Sequence, residues 1–157
     1  MPASDPSAWP VAPALVLDTN AVLDWLLFAH PAMAPWAAAI QQRRLRWLVC
    51  PRLRAELAAT LRKPSLQRWN PDSEHILTVL DSWAILSPQP VVPPAEALRC
   101  TDPDDQVFLD LSRAHHARWL ITRDRALLAL ARRAAPLGLA ILTPARWAEI
   151  SRSASSP

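Results

Sequence analysis

Hydrophobic positions along this chain fall into short runs, most of them closed by a proline, an acid or a polar cluster. Residues 14–17 (ALVL) are such a run and predict a short buried strand ending at Asp18. Residues 20–28 then read as a helix, which Pro31 stops. A second short helix is predicted over 35–43, and 46–50 (RWLVC) reads as a strand. Residues 51–61 form a helix with Pro51 in its first turn, where the missing N–H costs nothing. Asn70-Pro71 and the acidic Asp72 and Glu74 open a helix over 72–81. The run 83–86 predicts a strand and 87–94 a proline-rich loop. Residues 103–115 predict an amphipathic helix, with Val107, Leu111 and Ala114 on one face and Phe108 beside them. A strand at 118–122 (RWLIT), a helix at 125–134, a last strand at 139–142 (LAIL) and a terminal helix from Pro144 complete the pattern.

About five apolar strands alternating with helices imply parallel βαβ units, hence an α/β fold with a central sheet covered on both faces. In open sheets of this kind, sites form outside the carboxyl ends of the strands. One domain is expected over residues 14–150, with a loose proline- and serine-rich arm at 1–13 and a frayed tail at 151–157.

Composition narrows the function more than the fold. The 157 residues are 51% hydrophobic and 20% charged, as in one folded domain rather than a disordered chain. Cys50 and Cys100 are far apart and form neither a CxxC zinc pattern nor a disulfide framework. No signal peptide is read at residues 1–13, and the longest apolar stretches are about ten residues, too short for a bilayer. A cytoplasmic protein without membrane contact is expected. Gly138 is the single glycine, which excludes Walker loops, GxGxxG fingerprints and the GxSxG elbow. The net charge of +3 permits phosphate contact without demanding it. It is carried almost wholly by arginine, Lys63 being the one lysine, and base-composition bias accounts for it equally well.

Four acids stand beside strongly apolar segments, at strand ends or just inside helices: Asp18, Glu56, Asp105 and Asp124. Each has an ordinary explanation. Asp18 and Asp124 are placed to cap the helices that follow them, although Asn20 could replace Asp18 in that role. Glu56 lies at i+4 from Arg52 and could simply pair with it. Asp102 before Pro103 reads as an N-cap, with Asp105 completing a capping-box-like arrangement. Asp102 and Asp105 share a helix face, whereas Asp104 points elsewhere. Taken jointly, carboxylates gathered at one sheet edge repel each other, and Mg²⁺ or Mn²⁺ would relieve the repulsion. A donor set of oxygens without histidine suits a hard cation better than zinc. His115 and His116 are adjacent and cannot ligate jointly as an i,i+4 pair would. They are expected near the negative end of the helix dipole. Of the eight tryptophans, Trp47 and Trp119 lie inside predicted strands and are expected in the core, with Trp25 and Trp69 nearer a surface.

The order of these motifs resembles the PIN-domain family. The segments that carry the resemblance are LVLDTNAVLDWLLF, LVCPRLRAELAATLRKP, CTDPDDQVFLDLSRAHHARWLITRDRALLAL and ILTPARW, spanning about residues 14–148. The leading D-T-N is moderately specific, and D-P-D-D-x-x-F followed by an apolar strand and T-x-D is more so. The nearest branch is that of toxin components of bacterial toxin–antitoxin pairs, the VapC-like ribonucleases. The resemblance implies a three-layer α/β/α sandwich and metal-dependent cleavage of RNA. It implies Asp18, Glu56, Asp105 and Asp124 as catalytic and metal-binding residues, with Asp102 as an extra ligand of Mg²⁺ or Mn²⁺. Arg52, Arg54 and Arg123, with Asn20 and Thr122 beside the acids, are then candidates to meet the RNA. An antitoxin partner and a homodimer follow from the family in the same way. His115-His116 stand where family members often carry Ala-Gly, and Arg123 where many have a small residue, which bears on substrate fit rather than on chemistry. Two other readings remain: a nucleic-acid-binding domain of the same fold without catalysis, and an aspartate-based phosphatase. The phosphatase motif D-x-D fails here because its second position is Asn20.

Overall fold

The computed structural model describes residues 12–91 and 98–154, with side chains as far as 150. The predicted arm and the loop at 87–94 therefore lie partly outside the described residues, as does the end of the tail.

Five parallel strands form one sheet: β1 Ala14–Leu17, β2 Arg46–Val49, β3 Ala84–Leu86, β4 Trp119–Ile121 and β5 Ala140–Leu142, in the order β3-β2-β1-β4-β5. The helices are α1 Thr19–Leu26, α2 Ala34–Gln41, α3 Pro51–Leu61, α4 Pro64–Gln67, α5 Ser73–Trp83, α6 Gln106–Ala114, α7 Arg125–Leu128, α8 Ala131–Ala134 and α9 Trp147–Ala154. The chain moves outward from β1 through β2 to β3, then returns to the other side of β1 for β4 and β5. Right-handed crossovers with that reversal place helices on both faces, giving the α/β/α sandwich. The reversal also opens a crevice at the carboxyl ends of β1 and β4. There Leu17 is in register with Ile121, and Asp18 N–H donates to Ile121 O at 3.1 Å. Asp18 is thereby set beside Thr122.

Burial on both faces explains why the strands read as unbroken apolar runs rather than alternating ones: all four residues of β1 are buried. Trp36 and Trp47 are fully buried and Trp119 nearly so. Trp36 keeps its indole N–H satisfied through Pro144 O at 2.8 Å and packs edge-on against Trp147. Trp25 is half-buried against Trp47, and Trp69 is exposed beside Phe28.

Several elements depart from the sequence pattern. The helix expected over 125–134 is broken into α7 and α8, because a tight turn from Leu130 N–H to Leu127 O brings Leu127, Leu130 and Ala134 all to the core. The helix expected from 103 starts as a 3₁₀ turn, Pro103–Asp105. Ala114, placed on its apolar face, is exposed, while Ser112 is buried and donates to Phe108 O. His116 has φ +53, a left-handed conformation closing the turn into β4. The helix α4 was not expected, although Pro64 occupies its first position. The last helix continues to Ala154, into the segment expected to fray. Among the described residues no helix is long and apolar enough to cross a membrane.

Candidate metal-binding site

Asp18 caps α1: its Oδ1 accepts from Ala21 N–H at 2.7 Å. The other oxygen, Oδ2, accepts from Thr122 Oγ1 at 2.5 Å. Thr122 in turn accepts from Asp124 N–H at 2.9 Å, so one buried hydroxyl ties the ends of β1 and β4 together. Asp124 caps α7 through Leu127 N–H at 3.1 Å. Both expected caps are therefore real, and each leaves its carboxylate at the sheet edge.

Glu56 comes from the middle of α3 and accepts from Thr19 Oγ1 at 3.2 Å. Among the described residues it forms no ion pair with Arg52. Asp105 does not complete a capping box. Asp102 alone caps the turn, accepting from Asp104 N–H at 3.0 Å, and the Asp105 side chain makes no cap hydrogen bond. Instead, Asp105 Oδ2 is buried without a partner. A cavity of about 170 Å³ is lined by Asp18, Thr19, Asn20, Glu56, Thr60, Lys63, Asp105, Phe108 and Asp124. All four acids singled out in the sequence face it, and exposed Asp102 does not.

The electrostatics follow from this packing. Burial raises Asp18 from 3.8 to about 6, against the lowering effect of the Thr122 and Ala21 hydrogen bonds. Burial raises Asp105 to about 7, reinforced by the charges of Asp124, Asp102 and Asp18. Asp105 and Asp124 stand close enough to share a proton when Asp105 is protonated; as two carboxylates they only repel.

The three arginines expected to meet RNA lie outside the acidic cavity. Arg54 is held in a two-pronged pair by Asp81, at 2.8 and 2.7 Å, on the side of α3 toward α5. Arg123 reaches back to Asp24 at 2.7 Å. Each of these two guanidiniums thus has a carboxylate partner, and neither lines the acidic cavity. Arg52 lines a neighbouring cavity rather than this one. Sequence reasoning missed Asp24, a buried acid whose signal was its apolar setting in AVLDWLL. It also missed Thr60 and Lys63, although positions 52, 56 and 60 repeat at intervals of four and mark one helix face, with Lys63 just beyond the helix end.

Among the described residues no three His, Cys, Asp or Glu side chains lie close enough to hold an ion as they stand. The donor chemistry nevertheless fits a hard divalent cation. The carboxylates are oxygen donors, two of them raised in pKa by burial and mutual charge, and one oxygen is buried with nothing to bond. A small cation that keeps several waters does not require every carboxylate in direct contact.

Residues 14–126 match the family model described as "PIN domain". No curated protein matches the chain. Among solved structures it is similar to PAE2754 from Pyrobaculum aerophilum, at 21% identity and a TM-score of 0.56, over 92% of this chain and 94% of that one. At such identity the likeness speaks for the fold.

Proposed function

The chain belongs to the PIN-domain family, a family generally of nucleases, and we propose that it is a metal-dependent endoribonuclease, the toxin of a toxin–antitoxin pair. One observation carries the catalytic part. Asp18, Glu56, Asp105 and Asp124, which come from four separate segments of the chain, line one cavity in which Asp105 Oδ2 is buried and unpartnered.

In this reading Asp18, Asp105 and Asp124 would hold Mg²⁺ or Mn²⁺, directly or through water. A cation held there would supply Lewis-acid chemistry, polarising the phosphodiester and easing deprotonation of a water. Thr122 keeps Asp18 in one rotamer, with Oδ2 committed to the hydroxyl. Thr19 steadies Glu56, which orients the attacking water and accepts its proton. Lys63 lines the same cavity, where its ammonium offsets the negative charge of the substrate's phosphates. Asn20, exposed at the rim, meets the substrate backbone.

RNA is the proposed substrate. An antitoxin protein and a second copy of the chain are the proposed partners, and the toxin role rests on the sequence resemblance. The decisive assay incubates the purified protein with single-stranded RNA in Mn²⁺, in Mg²⁺ and in EDTA. Cleavage is expected with either metal and not with chelator, and Asp18→Asn should lower it by at least about a hundredfold while keeping the fold. Undiminished cleavage by that variant would remove the assignment. Growth arrest on induction, relieved by co-expression of a small neighbouring reading frame, tests the toxin role.

A further inference from the structure

One face of α3 carries Arg52, Glu56 and Thr60 in register, and Lys63 follows just beyond its end at Leu61. Glu56, Thr60 and Lys63 line the acidic cavity, while Arg52, one turn before Glu56, lines a second cavity of about 320 Å³. The turn between Pro103 and Phe108 borders both: Asp105 and Phe108 face the acidic cavity, and Pro103, Gln106 and Val107 face the second. Asp110 lines the second cavity too, its Oδ1 accepting from Gln106 Nε2 at 2.9 Å, and so does Arg99. The Arg99 backbone is pinned on either side, because Gln106 Nε2 donates to Leu98 O at 2.7 Å and Gln106 Oε1 accepts from Cys100 N–H at 2.8 Å. Among the described residues Arg52, Arg99 and Lys63 form no ion pair, whereas Arg54, Arg123 and Arg146 all do.

The carboxylates thus lie between two unpaired cationic positions. Arg52 lies near the start of α3 and Lys63 just past its end, and the helix rises by roughly 14 Å from Arg52 to Leu61, a span of a few phosphates. Carboxylates alone would repel such a polyanion; cations on both sides give its neighbouring phosphates somewhere to bind.

We propose that Arg52 and Arg99 on one side and Lys63 on the other form a track along α3 that holds the phosphates flanking the scissile bond of a single-stranded RNA. The identity of the strand rests on the ribonuclease reading above. The second cavity is then a subsite for a phosphate outside the reacting centre, and Arg99 a binding residue of the reaction. The track favours an unpaired strand long enough to reach both ends.

The test measures binding of a fluorescently labelled single-stranded RNA to the Asp18→Asn protein in Mn²⁺, so that the probe survives. Arg52→Gln, Arg99→Gln and Lys63→Gln, each added singly, should weaken binding roughly tenfold, the worth of one charge-assisted hydrogen bond. Each should also reduce the slope of log affinity against log salt by about 0.7. Arg132→Gln, at an exposed position of α8, should change neither. In the otherwise wild-type protein Arg99→Gln should raise KM for a long RNA and leave kcat alone. The track is overturned by unchanged binding in the three variants, by an equal loss from Arg132→Gln, or by a parent protein that does not bind the RNA. If wild-type protein cuts RNA while the three variants bind as before, the track fails and the ribonuclease reading stands. If binding behaves as expected but no RNA is cut, the ribonuclease reading fails and the track stands.

Discussion

Asp105 has an oxygen buried without a partner and a pKa raised to about 7, by burial first and then by its acidic neighbours. Such a group weakens the metal-free fold, since ionising it works against both solvation and charge. Asp105→Asn should therefore stabilise the metal-free protein while disabling it. The expected Tm gain in EDTA is roughly 2–4 °C, what about 1 kcal/mol produces in a domain of this size. A fall in Tm would show that the carboxylate has a partner the geometry does not reveal. Thr122 is the converse case. Its hydroxyl donates to Asp18 and accepts from Asp124 N–H. Thr122→Val keeps the shape and removes both bonds, at a cost of about 1–3 kcal/mol by urea unfolding. Cleavage should fall roughly 10–100-fold, as for other groups that orient metal ligands.

Asp24 and Arg123 join the middle of α1 to the residue between Thr122 and Asp124. Their pair is one-sided: the Asp24 side chain is 5% exposed and that of Arg123 54%. Removing the arginine strands a buried carboxylate, so Arg123→Gln should cost about 1–3 kcal/mol even though Arg123 stands at the surface. Arg54 forms the contrasting pair with Asp81, both well exposed, and Arg54→Gln should cost under about 1 kcal/mol. Parallel urea melts of the two variants check the ordering. The reverse order would mean that α1 is not held to the end of β4 through Asp24.

Across the domain, the raised carboxylates set how stability responds to pH. Asp18 and Asp105 have folded pKa values of about 6 and about 7, above the ordinary 3.8. The folded state therefore binds more protons than the unfolded chain between pH 4 and 7. The stability this lends is fully present below about pH 4 and is lost as pH rises through 6 and 7. Asp81, lowered by Arg54, acts in the opposite sense, but only as pH falls below the usual carboxylate range. In EDTA the Tm should rise as the pH is lowered from 8 to 5. Saturating Mn²⁺ should raise the Tm most at pH 8 and flatten the trend, because the cation replaces the protons. A Tm in EDTA that falls steadily on acidification over that range would contradict the burial of these two groups.

Much of this was legible in the chain itself. The apolar runs located all five strands, β1 to the residue; strands buried on both faces, such as β1 and β4, need no partner to be recognised, and β3 was found by its apolar run although it is largely exposed. The four acids were legible because charge beside buried strands is costly and so stands out. Local signals also went wrong where a distant contact outweighed them. Asp105 read as half of a capping box, yet its side chain faces Asp124. Arg123, a candidate phosphate contact, is held by an acid 99 positions away that no local pattern pairs with it. Arg52 read as the partner of Glu56, yet Thr19 takes that place. The sequence by itself determined the five strands and most of the helices, the absence of glycine phosphate loops and the candidate carboxylates, because helix period, strand burial and capping act within a few residues. Only the tertiary structure decided which cations remained unpaired and which carboxylate oxygen was left without a partner. Those choices depend on β4 returning to the side of β1, a pairing that no local pattern encodes.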